Sequence, residues 1–141
     1  MPSNLYPAGV RMIDANDILV QTALKAPRTI NVTVGTLSVG DITGGELVTL
    51  ISSNATPGTQ TTRTALQMYG DDPTSTPAQG YLLRICNSGA GTFTLAGGTN
   101  VTVTGTATIA TTTFRDFTVI YGGTAGAPTV TITNIGTGTY S

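Results

Sequence analysis

Hydrophobic and polar positions alternate with a period of two wherever the chain shows a clear pattern. In Thr129-Val130-Thr131-Ile132-Thr133, Val130 and Ile132 are expected to face a core while the threonines face solvent. Val101 and Val103 take the same inward part in Asn100–Thr104, as do Ile30, Val32 and Val34 between Thr29 and Val34. Phe93 with Leu95, and Ala107 with Ile109, form brief alternating pairs, and Phe114 to Tyr121 places Phe117, Val119 and Tyr121 on one face. Leu47–Ile51 and Tyr81–Cys86 are almost continuously apolar, the pattern of strands covered on both faces. β-Branched residues fit a pleated surface better than a helix. Strands recurring about every ten residues, with Gly44-Gly45, Ser88-Gly-Ala-Gly91, Gly97-Gly98 and Gly122-Gly123 between them as hairpin turns, predict an all-β domain. The expected architecture is an antiparallel β-sandwich or jelly roll.

Two regions depart from this rhythm. Residues 1–28 carry three of the seven prolines and are expected to form an extended N-terminal arm, leaving 29–141 as the β-sandwich domain. Within the arm, Ile13 to Leu24 reads as a short helix capped by Asp14 or Asn16, or as a strand through Ile18-Leu19-Val20, and the strand is preferred. Ser52 to Gly80 reads as surface loop, with Asn54-Ala-Thr-Pro-Gly58 and Gly70-Asp-Asp-Pro-Thr-Ser-Thr-Pro77 as its turns. Only Ala65 to Tyr69 interrupts it, as a strand.

Composition narrows the chemistry. The 141 residues include 30 threonines and 18 glycines but no histidine or tryptophan, and only 9% are charged, against about 25% in an ordinary soluble domain. Arg11, Lys25, Arg28, Arg63, Arg84 and Arg115 are spread thinly and the net charge is −1. Nucleic-acid binding is disfavoured, because counterion release needs clustered cations. Without His, the commonest general base and metal ligand is missing. The lone Cys86 excludes an intrachain disulfide and a Cys-based zinc site, and in an apolar strand it reads as a small buried core residue. No apolar run reaches the roughly 18 residues of a membrane helix, and the opening Met-Pro-Ser-Asn-Leu-Tyr-Pro is unlike a signal peptide, so synthesis in a cytoplasm is expected. The acceptor-like triplets at Asn31, Asn54 and Asn100 are chance matches in a Thr-rich chain.

The candidate catalytic groups are few. Asp71-Asp72 is the only adjacent carboxylate pair, and a turn before Pro73 accounts for it better than a calcium or glycosidase site. Asp14 and Asp17 lack a third ligand at motif spacing. Gly89-Ala-Gly91 has no following helix to receive a pyrophosphate. Arg84, Arg115 and Asp116 are charges inside strands and are expected to form structural ion pairs. No enzyme activity and no cofactor are expected. Thr102, Thr104, Thr106 and Thr108, with Thr129, Thr131 and Thr133, raise an ice-binding role. That role is set aside because the Thr runs follow no fixed coil period.

The stretch Leu83-Arg-Ile-Cys-Asn-Ser-Gly-Ala-Gly-Thr-Phe-Thr-Leu-Ala-Gly-Gly-Thr99 runs on into Val101-Thr-Val-Thr-Gly-Thr-Ala-Thr108. With Arg115-Asp-Phe-Thr-Val119 and Val130-Thr-Ile-Thr-Asn-Ile-Gly136, it resembles the small β-rich structural proteins of tailed bacteriophages, above all capsid decoration (cement) proteins and head-fibre domains. The resemblance covers about the C-terminal 40% of the chain. It implies a homotrimer on the outer surface of a virion, bridging subunits of the major capsid protein, with neither nucleic acid nor membrane as partner. Leu5, Tyr6, Pro7, Val10, Arg11, Ile13, Ile18, Leu19 and Val20 of the arm are then the candidate capsid or inter-subunit contacts. The alternatives are a tail-fibre or spike subdomain binding a host-surface glycan and, more remotely, a lytic accessory domain using Asp71 and Asp72.

Overall fold

The computed structural model describes residues 25–72, 75–124 and 126–140. Among these residues, ten strands and one helix run in the order β1 (Arg28–Ile30), β2 (Gly35–Thr36), β3 (Leu47–Ser52), β4 (Gly58–Thr61), α1 (Ala65–Asp71), β5 (Gly80–Asn87), β6 (Phe93–Ala96), β7 (Val101–Thr104), β8 (Thr108–Ile109), β9 (Thr113–Thr124) and β10 (Ala127–Thr139). They form a six-stranded sheet, β1-β3-β5-β9-β10-β7, and a four-stranded sheet, β2-β4-β6-β8.

The expected antiparallel sandwich is not what forms. The chain is mainly β, but from β1 to β6 each strand lies in the other sheet from the one before it, so sequential strands are not neighbours. The chain winds around a common interior. β1, β3 and β5 stack parallel in the large sheet while β2, β4 and β6 stack parallel in the small one. Antiparallel pairing comes only afterwards, when β8 reverses against β6, β9 against β5, and β10 folds back on β9 as a hairpin. β7 then closes the far edge parallel to β10. Alternation reports which face of a strand is buried, not which strand lies beside it or in which direction. The sandwich expectation therefore had no basis in strand pairing.

Glycine makes the winding possible. At one corner the chain passes from the large sheet to the small one three times, and successive passes lie backbone to backbone. The Ser53 amide donates to the Ile30 carbonyl at 3.0 Å, Ser88 to Ser52 at 2.9 Å and Gly91 to Asn54 at 3.1 Å. A Cβ on Gly89 would sit 2.0 Å from the Asn54 oxygen, and one on Gly91 would sit 2.0 Å from the Thr56 carbonyl carbon. These glycines, read from sequence as a hairpin turn, serve close approach between coils. Gly123, at φ +75°, does meet the turn expectation, in the β9–β10 hairpin.

Side-chain amides complete the corner. Asn87, fully buried, donates to the Gly91 and Ile109 carbonyls at 2.8 and 2.9 Å and accepts from the Gly89 amide at 3.0 Å. Asn54 and Gln60 both donate to the Val32 carbonyl. Buried polar groups are tolerable only when paired in this way.

Between the sheets, Val48, Leu50, Leu83, Ile85, Phe117, Val119, Tyr121, Val130 and Ile132 of the large sheet meet Phe93, Leu95 and Ile109 of the small one. The inward parity predicted for β9 and β10 is the observed one. β3 and β5 differ from expectation: only alternate residues are buried, and Leu47 and Leu82 stay about half exposed. The first predicted strand stops at Ile30, and Val32 and Val34 are exposed at the corner.

The region read as surface loop holds β4 and α1, and Ala65–Asp71 is helical rather than a strand. The sequence carries the reason. In Thr64-Ala-Leu-Gln67 the Thr64 hydroxyl accepts from the Gln67 amide at 3.2 Å, and the Gln67 side chain accepts from the Thr64 amide at 3.1 Å. This capping box satisfies two amides of the first turn, and Ala65 and Met68 anchor the helix in the core. The expected arm boundary at residue 28 falls inside β1: Arg28 pairs with Leu50 and bridges Asp41 at 2.8 Å.

Gly91→Ala should destabilise the fold by about 3 kcal/mol through overpacking, whereas Gly136→Ala, with nothing within 4 Å of the added methyl, should have little effect. Urea unfolding of the two variants checks this. Thr64→Ala should cost about 1 kcal/mol by the same measurement, the usual worth of an N-cap.

Candidate functional site

The outward parity of the large sheet assembles the most distinctive surface. β3 contributes Leu47 and Thr49, β5 contributes Leu82, Arg84 and Cys86, and β9 contributes Phe114, Asp116, Thr118 and Ile120. β10 adds Ile135 through an irregularity. Asp116 is opposite Gly136 but Phe117 is opposite Asn134, so Ile135 is the extra residue of a β-bulge. The bulge pushes its side chain out, 55% exposed, and the Asn134 amide caps the disturbed ladder by donating to the Gly136 carbonyl at 3.2 Å. Leu47, Leu82 and Ile135, with Arg84 and Asp116, line a shallow recess of about 260 Å³.

The charges in this surface cancel locally. Arg84 and Asp116 are direct cross-strand partners, joined by two hydrogen bonds of 2.7 and 2.9 Å. The guanidinium also lies 4.0 Å from the centre of the Phe114 ring. Bidentate pairing and ring stacking fix the guanidinium plane, which leaves a neutral, ordered patch amid exposed Leu and Ile. The ion pair expected of Arg84 and Asp116 is present. Arg115 is not part of it and donates instead to the Thr108 carbonyl at 2.7 Å. Cys86 is half-buried on this outer face rather than in the core. Burial pushes its thiol pKa up, against the lowering pull of Arg84, so it stays a thiol and a poor nucleophile near neutrality.

No protein family, curated protein or solved structure matches this chain.

The other candidates are dispersed. Asp71 pairs with Arg63 across the ends of α1, while Asp72 is buried and accepts from the Tyr121 hydroxyl at 2.7 Å. The adjacent carboxylates thus serve different partners, and the expected turn does start at Asp72, whose carbonyl accepts from the Ser75 amide at 3.1 Å. Among the described residues, no three Cys, Asp or Glu side chains converge on a common point, and no helix is long and apolar enough to cross a membrane. Leu5, Tyr6, Pro7, Val10, Arg11, Ile13, Ile18, Leu19 and Val20 lie outside the described residues, as do Asp14 and Asp17.

Sequence reasoning missed Leu47, Leu82, Ile120 and Ile135 as surface residues. For three of them the signal was present: strand parity puts Thr49 on the face of Leu47, Arg84 on the face of Leu82, and Asp116 on the face of Ile120. A polar or charged residue two or four positions away marks the wet face. Ile135 had no such marker, because a bulge breaks parity.

Beneath the sheet, Tyr121 stacks edge-on to Tyr69 at 4.8 Å, and Tyr81 donates to the Ile42 carbonyl. Burial raises the pKa of both Tyr81 and Tyr121, with further raising from Asp72. Each hydroxyl therefore holds its proton more tightly folded than unfolded. Their contribution to stability is complete below the unfolded tyrosine pKa and is lost as pH climbs from there toward the folded values. Urea midpoints should be level through neutral pH and fall above about pH 10, and Tyr81→Phe should flatten that fall. Tyr121→Phe should in addition cost about 2 kcal/mol at neutral pH through the lost bond to the buried carboxylate.

Proposed function

We propose that the chain is a non-enzymatic structural protein of a tailed-phage particle that docks on the capsid's outer surface through the outer face of its six-stranded sheet. The observation that carries this reading is the exposed apolar band itself. Leu47, Leu82 and Ile135, 48%, 47% and 55% exposed, line one recess with an ion pair already neutralised within the chain, and Ile120, 41% exposed, lies on the same face four residues along β9 from Asp116. A contiguous apolar patch with little free charge gains from being covered, and a large flat partner covers it best. A shell of repeated subunits offers such a partner many times over, so modest contacts accumulate when several copies are linked.

The resemblance of Leu83–Thr99, Arg115–Val119 and Val130–Gly136 to decoration proteins supports the same reading, since those stretches hold Arg84, Asp116 and Ile135 of this face. A homotrimer belongs to the same proposal. Its assembly would also cover the edges of β1 and β7, which end the large sheet among the described residues.

Purified protein should add saturably to preformed phage shells and raise the temperature at which they rupture. Leu82→Lys and Ile135→Lys, both at exposed positions, should weaken shell binding at least tenfold, about 1.4 kcal/mol, while leaving the urea midpoint nearly unchanged. Light scattering should return a mass near three chains. Absence of saturable shell binding, or unaltered binding by both lysine variants, overturns the docking face.

A further inference from the structure

The chain enters the large sheet beside the apolar recess. β1 runs parallel to β3 with Arg28 opposite Leu50, so the three residues before β1 lead back along β3 toward Leu47. Lys25 is fixed at that end. Its ammonium donates to the Gly40 and Thr43 carbonyls, the latter at 2.6 Å and four residues before β3 starts. Arg28 adds a bridge of 2.8 Å to Asp41 in the same loop. Leu47, at the start of β3, is opposite Leu82, and these two with Ile135 form the apolar part of the recess. Among the described residues nothing shields these three side chains, which stay about half exposed.

The residues that precede Lys25, outside the described part of the chain, have the chemistry and the length to fill it. Ile18-Leu-Val-Gln-Thr-Ala-Leu24 holds five apolar residues in seven, with no charge between Asp17 and Lys25. The recess matches this, because its two charges, Arg84 and Asp116, already neutralise each other. Strands lie about 4.8 Å apart, which puts Leu82 about 10 Å and Ile135 about 19 Å across the sheet from β1. An extended chain advances about 3.3 Å per residue, so the seven residues from Leu24 back to Ile18 reach about 23 Å. The inner face of the sheet is filled by the packed core. That leaves the outer face, with Leu47 nearest, within reach.

We propose that residues 18–24 of the same chain lie across the Leu47–Leu82–Ile135 recess in the free protein and withdraw when a shell takes their place. The consequence rests on the docking reading: an intrachain cover competes with the capsid for one face. Ordering seven residues offsets much of the gain from burying their apolar side chains, so the cover is weak. It still keeps the apolar face of a free chain away from other chains, while linked copies on a shell displace it. The Lys25 anchor holds the segment at a high effective concentration beside the recess.

The test places one nitroxide label on the full chain through Leu19→Cys in a Cys86→Ser background and reads its broadening of methyl signals, with no shell present. The signals of Leu47, Leu82 and Ile135 should broaden strongly, and that of Thr94, on the outer face of the opposite sheet, far less. The pattern should survive when the labelled chain is refolded with an excess of unlabelled chain. Separately, the full chain carrying Leu19→Lys and Val20→Lys should bind shells about tenfold tighter than the wild type, because its docking face is no longer covered. Absence of the broadening overturns the inference, as does its loss on dilution, which assigns the segment to a second copy. So does a doubly substituted chain, still cooperatively folded, that binds shells no tighter than the wild type. A chain that shows the broadening but binds no shell overturns the docking reading and leaves the cover standing. One that binds shells without the broadening refutes this inference alone.

Discussion

The backbone-to-backbone contact at the corner between the two sheets is the constraint on which the remaining structure depends. There the chain passes three times over itself, and Gly89 and Gly91 rest against the carbonyl groups of Asn54 and Thr56 with no room for a side chain. Hydrogen bonds donated by the Ser53, Ser88 and Gly91 amides hold the passes together, and the side chains of Asn54, Gln60 and Asn87 donate to further backbone carbonyls at the corner. If the passes were farther apart, β3 could not lie against both β1 and β5, nor β4 against β2 and β6. The parallel alignment of β1, β3 and β5, and of β2, β4 and β6, goes with this contact.

Registry in turn determines what each sheet offers to solvent. A β-strand exposes every second residue, and aligned strands gather those residues into a common surface. On the large sheet, the gathering brings Leu47, Leu82 and Ile120 together with a neutralised Arg84–Asp116 pair, and the bulge at Ile135 adds one more apolar side chain. On the small sheet, it brings threonines from distant parts of the chain into rows. One apolar face and one hydroxyl-covered face thus lie on either side of a shared core.

Much of the β character could be read directly. The inward sets Phe117, Val119, Tyr121 and Val130, Ile132 follow from alternation, because each lies in a strand with one wet face. Arg84, Arg115 and Asp116 stand out as charges inside strands that need partners, but the register of β5 and β9 decides that Arg84 and Asp116 pair with each other. The helix at Ala65–Asp71 was legible too, in the Thr64 and Gln67 capping box, but a seven-residue helix shows less than two turns of apolar period and was taken for a strand. The glycines were recognised as special, yet only Gly123 of its pair and Gly44 owe this to a positive φ. Gly89 and Gly91 owe it to a neighbour that adjacent sequence cannot reveal.

Taken alone, the sequence determined the mainly β character and the buried face of β9 and β10, because both depend on residues two apart on the same strand. It also determined the scarcity of charge, and hence surfaces dominated by Thr, Val, Leu and Ile. Only the tertiary structure decided strand neighbours, parallel or antiparallel direction, and which threonines and leucines share a surface. Those properties depend on which coil lies against which, across separations as long as Leu50 to Ile85 and Gln60 to Leu95. Coils of unequal length leave no period in the sequence by which such alignment could be read.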